Sequence, residues 1–179
     1  MTKIHIFVSN VIVVKKIENH INVNLVKEPE VFYLLDNPFD RIVGVLGGIG
    51  QVGQVVNSDI DLIAITRKGL PKSAAYSICE VLDISMDRLS ELLHISHRTL
   101  QRKDDDDLLS VYSTEQLFEI AEVVSEGIDV FDTLENFRAW LHSSPYIFKG
   151  QKPLDFLDTR FGIQYVKNTL GRIAHGIPS

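Results

Sequence analysis

Residues 140–179 read WLHSSPYIFKGQKPLDFLDTRFGIQYVKNTLGRIAHGIPS, and the order of apolar and helix-ending residues in this stretch decides the fold that we predict. Ser143-Ser144-Pro145 ends one amphipathic helix. Pro153 opens a short second helix, because the missing N–H of proline is no loss in a first helical turn. Asp158-Thr159 is predicted to cap a final helix. The apolar stripe of that helix consists of Ile163, Val166, Leu170 and Ile173.

The tail that follows the final helix, residues 175–179, is too short to form a core of its own. A glycine after the last helical turn, followed by a proline, is typical of an ordinary helix end. One interpretation of the tail is therefore a frayed helix terminus without further role.

The same stretch resembles the toxin-binding domain of the Xre/MbcA/ParS antitoxin family. The matching residues are Trp140-Leu141, Pro145, Gly150, Pro153-Leu154-Asp155, Leu157-Asp158-Thr159, Gly162, Val166, Leu170-Gly171-Arg172-Ile173 and Gly176. The resemblance implies an antitoxin that neutralises a RES-domain toxin, an enzyme that depletes cellular NAD⁺. It also implies that the C-terminal region of the antitoxin covers the entrance to the toxin's active site.

Covering an active site requires a rigid helix and a short tail, and it requires no catalytic residue. We therefore predict that the outward-facing residues of the final helix and the tail bind the toxin. These residues are Arg160, Gln164, Lys167, Asn168, Arg172, His175, Gly176, Ile177, Pro178 and Ser179. The alternative is that arginine and histidine here are only charges favoured by the carboxyl end of a helix dipole.

Residues 86–103, MDRLSELLHISHRTLQRK, predict a helix-turn-helix. Ser85 and Ser96 are the expected N-caps, and His94 occupies the tight turn, where histidine tolerates positive φ. The string I-S-x-R-T-L-x-R at residues 95–102 resembles the recognition helix of Xre-type antitoxins. The DNA-binding residues that we predict are Ser96, His97, Arg98, Thr99, Gln101, Arg102 and Lys103.

Three alternatives stand beside a DNA-binding antitoxin. The same two helices would also suit an αα-hairpin with a solvated basic face, or a helix-turn-helix regulator that has no toxin. The run Asp104–Asp107 opposes contact with phosphates, unless it bends away as a solvated loop. Gly48, Gly50 and Gly53 spell the G-x-G-x-x-G of a nucleotide-binding enzyme, but the later strands of such a fold are missing from the pattern. Flexible turns near a helix start are the better interpretation of these glycines.

Composition narrows the classes of protein. The chain has 179 residues, 45% of them hydrophobic, and a formal net charge of −6, which argues against non-specific nucleic-acid binding by the whole chain. No apolar run is long enough to span a bilayer, the first residues lack a signal-peptide pattern, and the single Cys79 fits a reducing cytosol. We predict a cytoplasmic protein that is not an enzyme and binds no membrane, metal or cofactor.

The predicted fold is mainly α, and the chain divides into three parts. Residues 1–58 form an N-terminal extension, residues 59–112 a helix-turn-helix and dimerisation domain, and residues 113–179 the toxin-binding domain. Alternation at Ile4/Ile6/Val8 and at Ile21/Val23/Leu25 indicates two short strands or an extended arm, which must pack on something because a lone hairpin is marginally stable. The predicted partners are a RES-domain toxin, operator DNA and a second copy of the chain, within a larger toxin–antitoxin complex.

Three helix boundaries complete the prediction. Residues 31–35 are expected to form a helical turn that Asn37-Pro38 ends. Ser113 and Gln116 match a capping box, which predicts a helix from Ser113 to Gly127. The next helix is expected to begin at Asp132 and to bury its apolar residues, namely Leu134, Phe137 and Trp140 or Leu141.

Overall fold

The structure is a computed structural model that describes residues 37–177 and, before them, the backbone of two short strands. These strands, β1 (Lys16–Ile17) and β2 (His20–Ile21), pair antiparallel, with Lys16 opposite Ile21. The predicted alternation at Ile4/Ile6/Val8 and the helical turn at residues 31–35 lie outside the described residues.

Helices make up most of the described chain, as predicted. The α-helices are α1 (Pro38–Val45), α2 (Ile49–Val52), α3 (Asp59–Lys68), α4 (Lys72–Leu82), α5 (Met86–Leu92), α6 (His97–Gln101), α7 (Val111–Phe131), α8 (Leu134–Leu141) and α9 (Arg160–Ala174). Two 3₁₀ helices, Tyr146–Phe148 and Pro153–Asp158, lie between α8 and α9. Among residues 37–177, no helix combines the length and apolar character that crossing a bilayer requires.

Helix α7 is the centre of the fold. Its buried residues belong to one continuous core, and α1, α3, α4, α8 and α9 all pack against it. Helix α1, from the predicted N-terminal extension, joins α7 through Arg41, which donates to the carbonyl of Ser125 at 3.1 Å and pairs with Asp129. The two halves of the protein therefore share α7, and the division at residues 58 and 112 stays a prediction.

Both predicted ends of α7 are wrong. Ser110, not Ser113, is the N-cap, and its hydroxyl accepts the N–H of Ser113 at 3.2 Å. Both serines suit an N-cap, but only Ser113 is followed by the glutamine of a capping box, Gln116, so the sequence favoured the wrong serine. At the other end the helix continues through Gly127 to Phe131, and a Cβ on Gly127 would lie 2.2 Å from the ring of Phe137. Gly127 is there for close packing, not as a helix end.

The glycine segment forms a helical turn. The apolar residues before it are α1, not the strand that a dinucleotide-binding fingerprint requires, so these glycines do not form that fingerprint. Gly48 (φ 89°) precedes α2 and Gly53 (φ 84°) ends it in the left-handed conformation, which confirms the interpretation as turns near a helix start. Asn37-Pro38 begins α1, with the Asn37 side chain accepting the N–H of Phe39 at 3.0 Å, and the helical turn that it was predicted to end lies outside the described residues.

Two predictions about buried side chains are confirmed. Leu134, Phe137 and Leu141 of α8 are buried. Trp140 lies half-buried beside them, with its ring 5.4 Å from that of Phe131. Cys79 is a buried free thiol whose pKa is raised to about 11 by burial, with Glu80 adding to the shift. A thiol that stays protonated at neutral pH is a poor nucleophile.

Candidate functional site

Helix α9 is held rigidly by one of its faces. The Thr159 hydroxyl accepts the N–H of Gly162 at 3.2 Å and caps the helix, as predicted. Ile163, Val166 and Leu170 are buried against α7 and the second 3₁₀ helix, whereas the fourth residue of the predicted stripe, Ile173, is only half-buried.

Aromatic rings attach α9 to the two 3₁₀ helices. The ring of Tyr165 lies 5.3 Å from that of Phe148, edge-on, and stacks on Phe156 at 5.9 Å. The Tyr165 hydroxyl donates to the carbonyl of Ile147 at 2.9 Å. Aromatic pairs in these arrangements add stability beyond the area that they bury. The position of α9 is therefore fixed by the segment that precedes it.

The opposite face of α9 is open to solvent. Gln164 and Asn168 lie on this face, joined by a hydrogen bond of 3.0 Å, and Arg172 and His175 follow towards the carboxyl end. Phe161, at the start of the helix, is 93% exposed, and Tyr146 in the first 3₁₀ helix is 94% exposed. We call Phe161, Gln164, Asn168, Arg172 and His175 the open face of α9.

The two exposed aromatic residues are not among the predicted toxin-binding residues. The predicted set consists mainly of polar residue types, whereas Phe161 and Tyr146 look like ordinary core residues in a sequence. For Phe161 a signal was present: it lies four residues before Tyr165, off the stripe formed by Ile163, Val166 and Leu170. Exposed aromatic residues of this kind are common at the centres of protein interfaces.

Two predicted toxin-binding residues instead lie along the edge of α9 that meets α7. The ammonium of Lys167 is 3.0 Å from Glu122 and 2.9 Å from Glu126, and Arg160 approaches Glu119 at 3.9 Å. Burial alone would lower the pKa of Lys167, but the hydrogen bonds to Glu126 and Glu122 outweigh it, and the pKa is raised. Lys167 therefore joins two helices, which its position in the sequence did not reveal.

The start of the tail closes α9 in an ordered way. The N–H of Gly176 (φ 65°) donates to the carbonyl of Ile173 at 2.9 Å, and the N–H of Ile177 donates to that of Arg172 at 2.9 Å. This pair of bonds is a Schellman motif, in which glycine takes the left-handed position. The predicted helix end at Gly176 is confirmed, while Pro178 and Ser179 lie outside the described residues.

Helices α5 and α6 form the predicted helix-turn-helix. Ser85 and Ser96 cap them, accepting the N–H groups of Arg88 at 3.2 Å and Thr99 at 3.0 Å. His94 turns the chain at φ 53°, as predicted. Its ring Nε2–H donates to the carbonyl of Asp158 at 2.6 Å, so the turn also touches the segment before α9.

The predicted DNA-binding residues of α6 divide into two sets. Arg98, Gln101 and Arg102 are exposed. The others make contacts within the domain: Ser96 and Thr99 bond each other through their hydroxyls at 2.6 Å, His97 Nδ1 lies 3.0 Å from Asp87, and Lys103 Nζ donates to the carbonyl of Leu108 at 2.8 Å.

The acidic run after α6 folds over the start of α4. The carbonyls of Asp105 and Asp107 accept the N–H groups of Ser73 and Lys72, both at 3.0 Å, and the Asp105 carboxylate lies 3.4 Å from the Lys72 ammonium. Negative charge near the amino end of a helix is favourable. The acidic run is therefore an exposed loop whose backbone carbonyls bind the N–H groups at the start of α4.

The helix-turn-helix and the C-terminal helices are joined by polar contacts. Arg138 of α8 donates to the carbonyls of Val81 at 2.6 Å and Glu80 at 2.5 Å, and His142 donates to that of Leu82 at 2.9 Å. These carbonyls lie at the end of α4, and that of Glu80 also accepts the N–H of the cap residue Asp83 at 3.4 Å. Arg88 adds an ion pair with Asp155 at 2.5 Å.

Comparison with protein families gave two matches. Residues 61–122 match the antitoxin Xre-like helix-turn-helix domain, and residues 126–176 match the antitoxin Xre/MbcA/ParS C-terminal toxin-binding domain. A helix-turn-helix followed by a toxin-binding domain defines an antitoxin of a toxin–antitoxin system. Because the two matches follow each other in this order and cover nearly two thirds of the chain, the protein belongs to the Xre/MbcA/ParS antitoxins.

A comparison with curated proteins gave no match. Both matched families consist of antitoxin domains rather than enzymes. In the part of the chain that the structure describes, no three His, Cys, Asp or Glu side chains converge as a metal site would require.

Proposed function

We propose that this antitoxin neutralises a RES-domain, NAD⁺-depleting toxin by placing the open face of α9 and the tail over the entrance to the toxin's active site. The observation that carries the proposal is the division of α9 into a buried face and an open face within the toxin-binding domain. A helix packed on α7 and on the aromatic residues before it loses little further freedom on binding, which favours affinity.

The chemistry of the open face supports a protein partner. Phe161 offers a large apolar surface that is 93% exposed, and Arg172 and His175 lie near the other end of the helix. Aromatic and arginine side chains account for much of the binding energy at protein interfaces. Such a surface blocks access by occupying space, so the antitoxin performs no reaction and needs no cofactor.

We also propose that the protein acts in the cytoplasm and represses its own operon as a homodimer. The geometry of α5 and α6 supports DNA binding, with Arg98, Gln101 and Arg102 exposed on the second helix. A dimer would present two such helices to two half-sites. The alternative of a regulator without a toxin would keep this surface and leave the open face of α9 without a partner.

The test is deletion of residues 174–179, followed by co-expression with a RES-domain protein encoded beside the antitoxin. The deletion removes the Schellman motif but leaves the buried Leu170 in place, so we expect unchanged helix content. We expect the full chain to preserve growth and NAD⁺, and the shortened chain to lose this protection. An exposed substitution on α8, Glu135→Ala, is the control.

Two results would count against the proposal. Full protection by the shortened chain would exclude the role of the tail. Failure of the full chain to bind the RES-domain protein would exclude that class of toxin, whatever the tail does.

A further inference from the structure

A groove between α3 and the first half of α7 has an acidic and apolar lining. It measures about 370 Å³. Its apolar residues include Ile63, Val111 and Phe118, and its acidic residues are Glu115, Glu119 and Glu122 of α7. The acids follow each other at helical spacing, which places them along one side of α7.

The lining of the groove is more acidic than basic. Arg67 also lines it, and Lys167 already pairs with Glu122 from the α9 side. Burial is the largest cause of the raised pKa of Glu119; Arg160, 3.9 Å away, lowers this pKa, and the neighbouring Glu115 and Glu122 raise it. Glu115 and Glu122 therefore repel Glu119, and a further cation placed in the groove would relieve the repulsion.

Apolar side chains beside the groove are unusually open. Ile60 of α3 is 76% exposed, Ile63 is 49% exposed and Val111 is 45% exposed. Isolated exposed apolar residues are normal, but a continuous group of them indicates a binding surface. An occupant that suits this groove would be apolar and positively charged.

The first 17 residues of the chain have this chemistry. They contain Lys3, Lys15 and Lys16, no acidic residue, and an apolar residue at more than half of their positions. Strand β1 ends this segment and pairs with β2, just beyond it, through only two residues of each strand, which is too small a pairing to be stable without a surface to pack on. The chain turns back between Ile17 and His20, so the length available to bring the segment to α3 is that from Ile21 to Asn37, which can span up to roughly 53 Å.

The open face of α9 suits this segment less well. Its charged residue is Arg172, and its histidine, His175, also becomes a cation when protonated. Lysines would be repelled there and attracted by Glu115 and Glu119.

We propose that residues 1–17 dock into the α3–α7 groove of the same chain, with apolar side chains against Ile63, Val111 and Phe118 and lysines beside Glu115 and Glu119. The docked segment would cover the exposed residues of α3. This inference does not depend on the toxin, and it is tested on the isolated full-length chain.

The experiment joins lysines to carboxylates with a zero-length carbodiimide and maps the joined peptides by mass spectrometry. We expect links from Lys15 or Lys16 to Glu115, Glu119 or Glu122 within single chains. The double substitution Lys15→Glu/Lys16→Glu should weaken docking about two- to fivefold for each lysine. Hydrogen exchange of α3 should rise accordingly, while Lys27→Glu, outside the segment, should change neither measurement.

A reversed charge provides the second variant. Adding Glu115→Lys to Lys15→Glu/Lys16→Glu should restore slow exchange in α3, because the attraction returns with its signs exchanged. Helix content measured by circular dichroism checks that each variant folds, and raising the salt concentration weakens docking in the native chain without any substitution. Equal exchange of α3 in the native chain and the variants would overturn the proposal. Links found only between two chains, in a covalent dimer, would also overturn it.

Discussion

Helices α6 and α9 are the two predicted contact helices, and they use their polar side chains differently. In and beside α6, which has five residues, four of the seven predicted DNA-binding residues make contacts within the domain. In α9, which has 15 residues, most of the predicted toxin-binding residues remain on the open face, and the exceptions are Lys167 and Arg160.

The difference follows from length. A short helix forms few internal hydrogen bonds, so its caps and neighbouring side chains must hold it in place. Ser96, Thr99 and His97 do this for α6. A four-turn helix is held by one buried stripe, and its other residues are available to a partner. We therefore expect substitutions on α9 to separate stability from binding more cleanly than substitutions on α6.

The largest expected effect is on toxin binding by Phe161→Ala. The side chain is 93% exposed, so the free energy of unfolding should change by less than about 0.5 kcal/mol. If Phe161 is a central residue of the interface, toxin affinity should fall by about 2–4 kcal/mol. Calorimetry with the purified toxin measures the affinity. Ile60→Ala, an exposed apolar residue on α3, is the control and should leave it unchanged. Equal affinity of the Phe161 variant would remove this residue from the interface.

The next effect is on stability and compares two glycines of α9. A Cβ on Gly162 would lie 2.0 Å from the carbonyl oxygen of Phe156, whereas a Cβ on Gly171 would meet nothing within 4 Å. Gly162→Ala should cost about 2 kcal/mol through this clash. Gly171→Ala should gain about 0.5–1 kcal/mol from helix propensity. Urea unfolding measures both, and a stabilised Gly162 variant would contradict the packing described here.

Gly171→Ala also sharpens the proposal for the open face. Gly171 lies one turn from both Asn168 and His175, so the added methyl group would face a bound toxin. A variant that is more stable and yet binds the toxin more weakly would place the contact at this end of α9. Unchanged binding would place it nearer Phe161.

A smaller effect is expected for DNA binding by α6. Arg98 is exposed, whereas Lys103 Nζ donates to the carbonyl of Leu108 at 2.8 Å. Arg98→Ala should weaken operator binding by about 1 kcal/mol and reduce the slope of its salt dependence by about one. Lys103→Ala should do less, because its ammonium is already engaged. Fluorescence anisotropy at several salt concentrations measures both, and the reverse order would show that Lys103 leaves its contact when DNA binds.

Local patterns made much of this fold predictable. The caps at Ser85, Ser96 and Thr159 and the turn at His94 each depend on side-chain chemistry within four residues. The buried stripe of α9 was predictable for the same reason, since helical periodicity is a local property. The family resemblance added the order of the two domains, which the comparisons confirm.

Contacts between distant residues were not predictable. From the sequence Lys167 was predicted to face outward, because its partners on α7, Glu122 and Glu126, lie more than 40 residues earlier in the chain. Gly127 lies inside α7, where the Phe137 ring from the next helix leaves no room for a Cβ. The exposure of Phe161 depends on which stripe of α9 the core covers. Each outcome is decided by the packing of helices, which a single sequence does not display.

The smallest expected effect tests the engaged edge of α9 with Lys167→Met, and Gln164→Ala on the open face is its matched control. Lys167→Met should cost about 0.5–1 kcal/mol of stability at neutral pH and leave toxin affinity unchanged. Gln164→Ala should show the opposite pattern.

The pH dependence of stability tests the same contact. Because the pKa of Lys167 is raised above its ordinary value of 10.5, the stability that Lys167 contributes is complete below that pH and is lost as the pH rises through the raised pKa. Urea unfolding of the native chain and Lys167→Met should therefore differ equally at about pH 7 and pH 9 and converge only as the pH rises through the raised pKa. If the difference in unfolding free energy between the two chains instead grew towards high pH, the carboxylates of α7 would not hold the ammonium. Lys167 would then be available to a partner, like the residues of the open face.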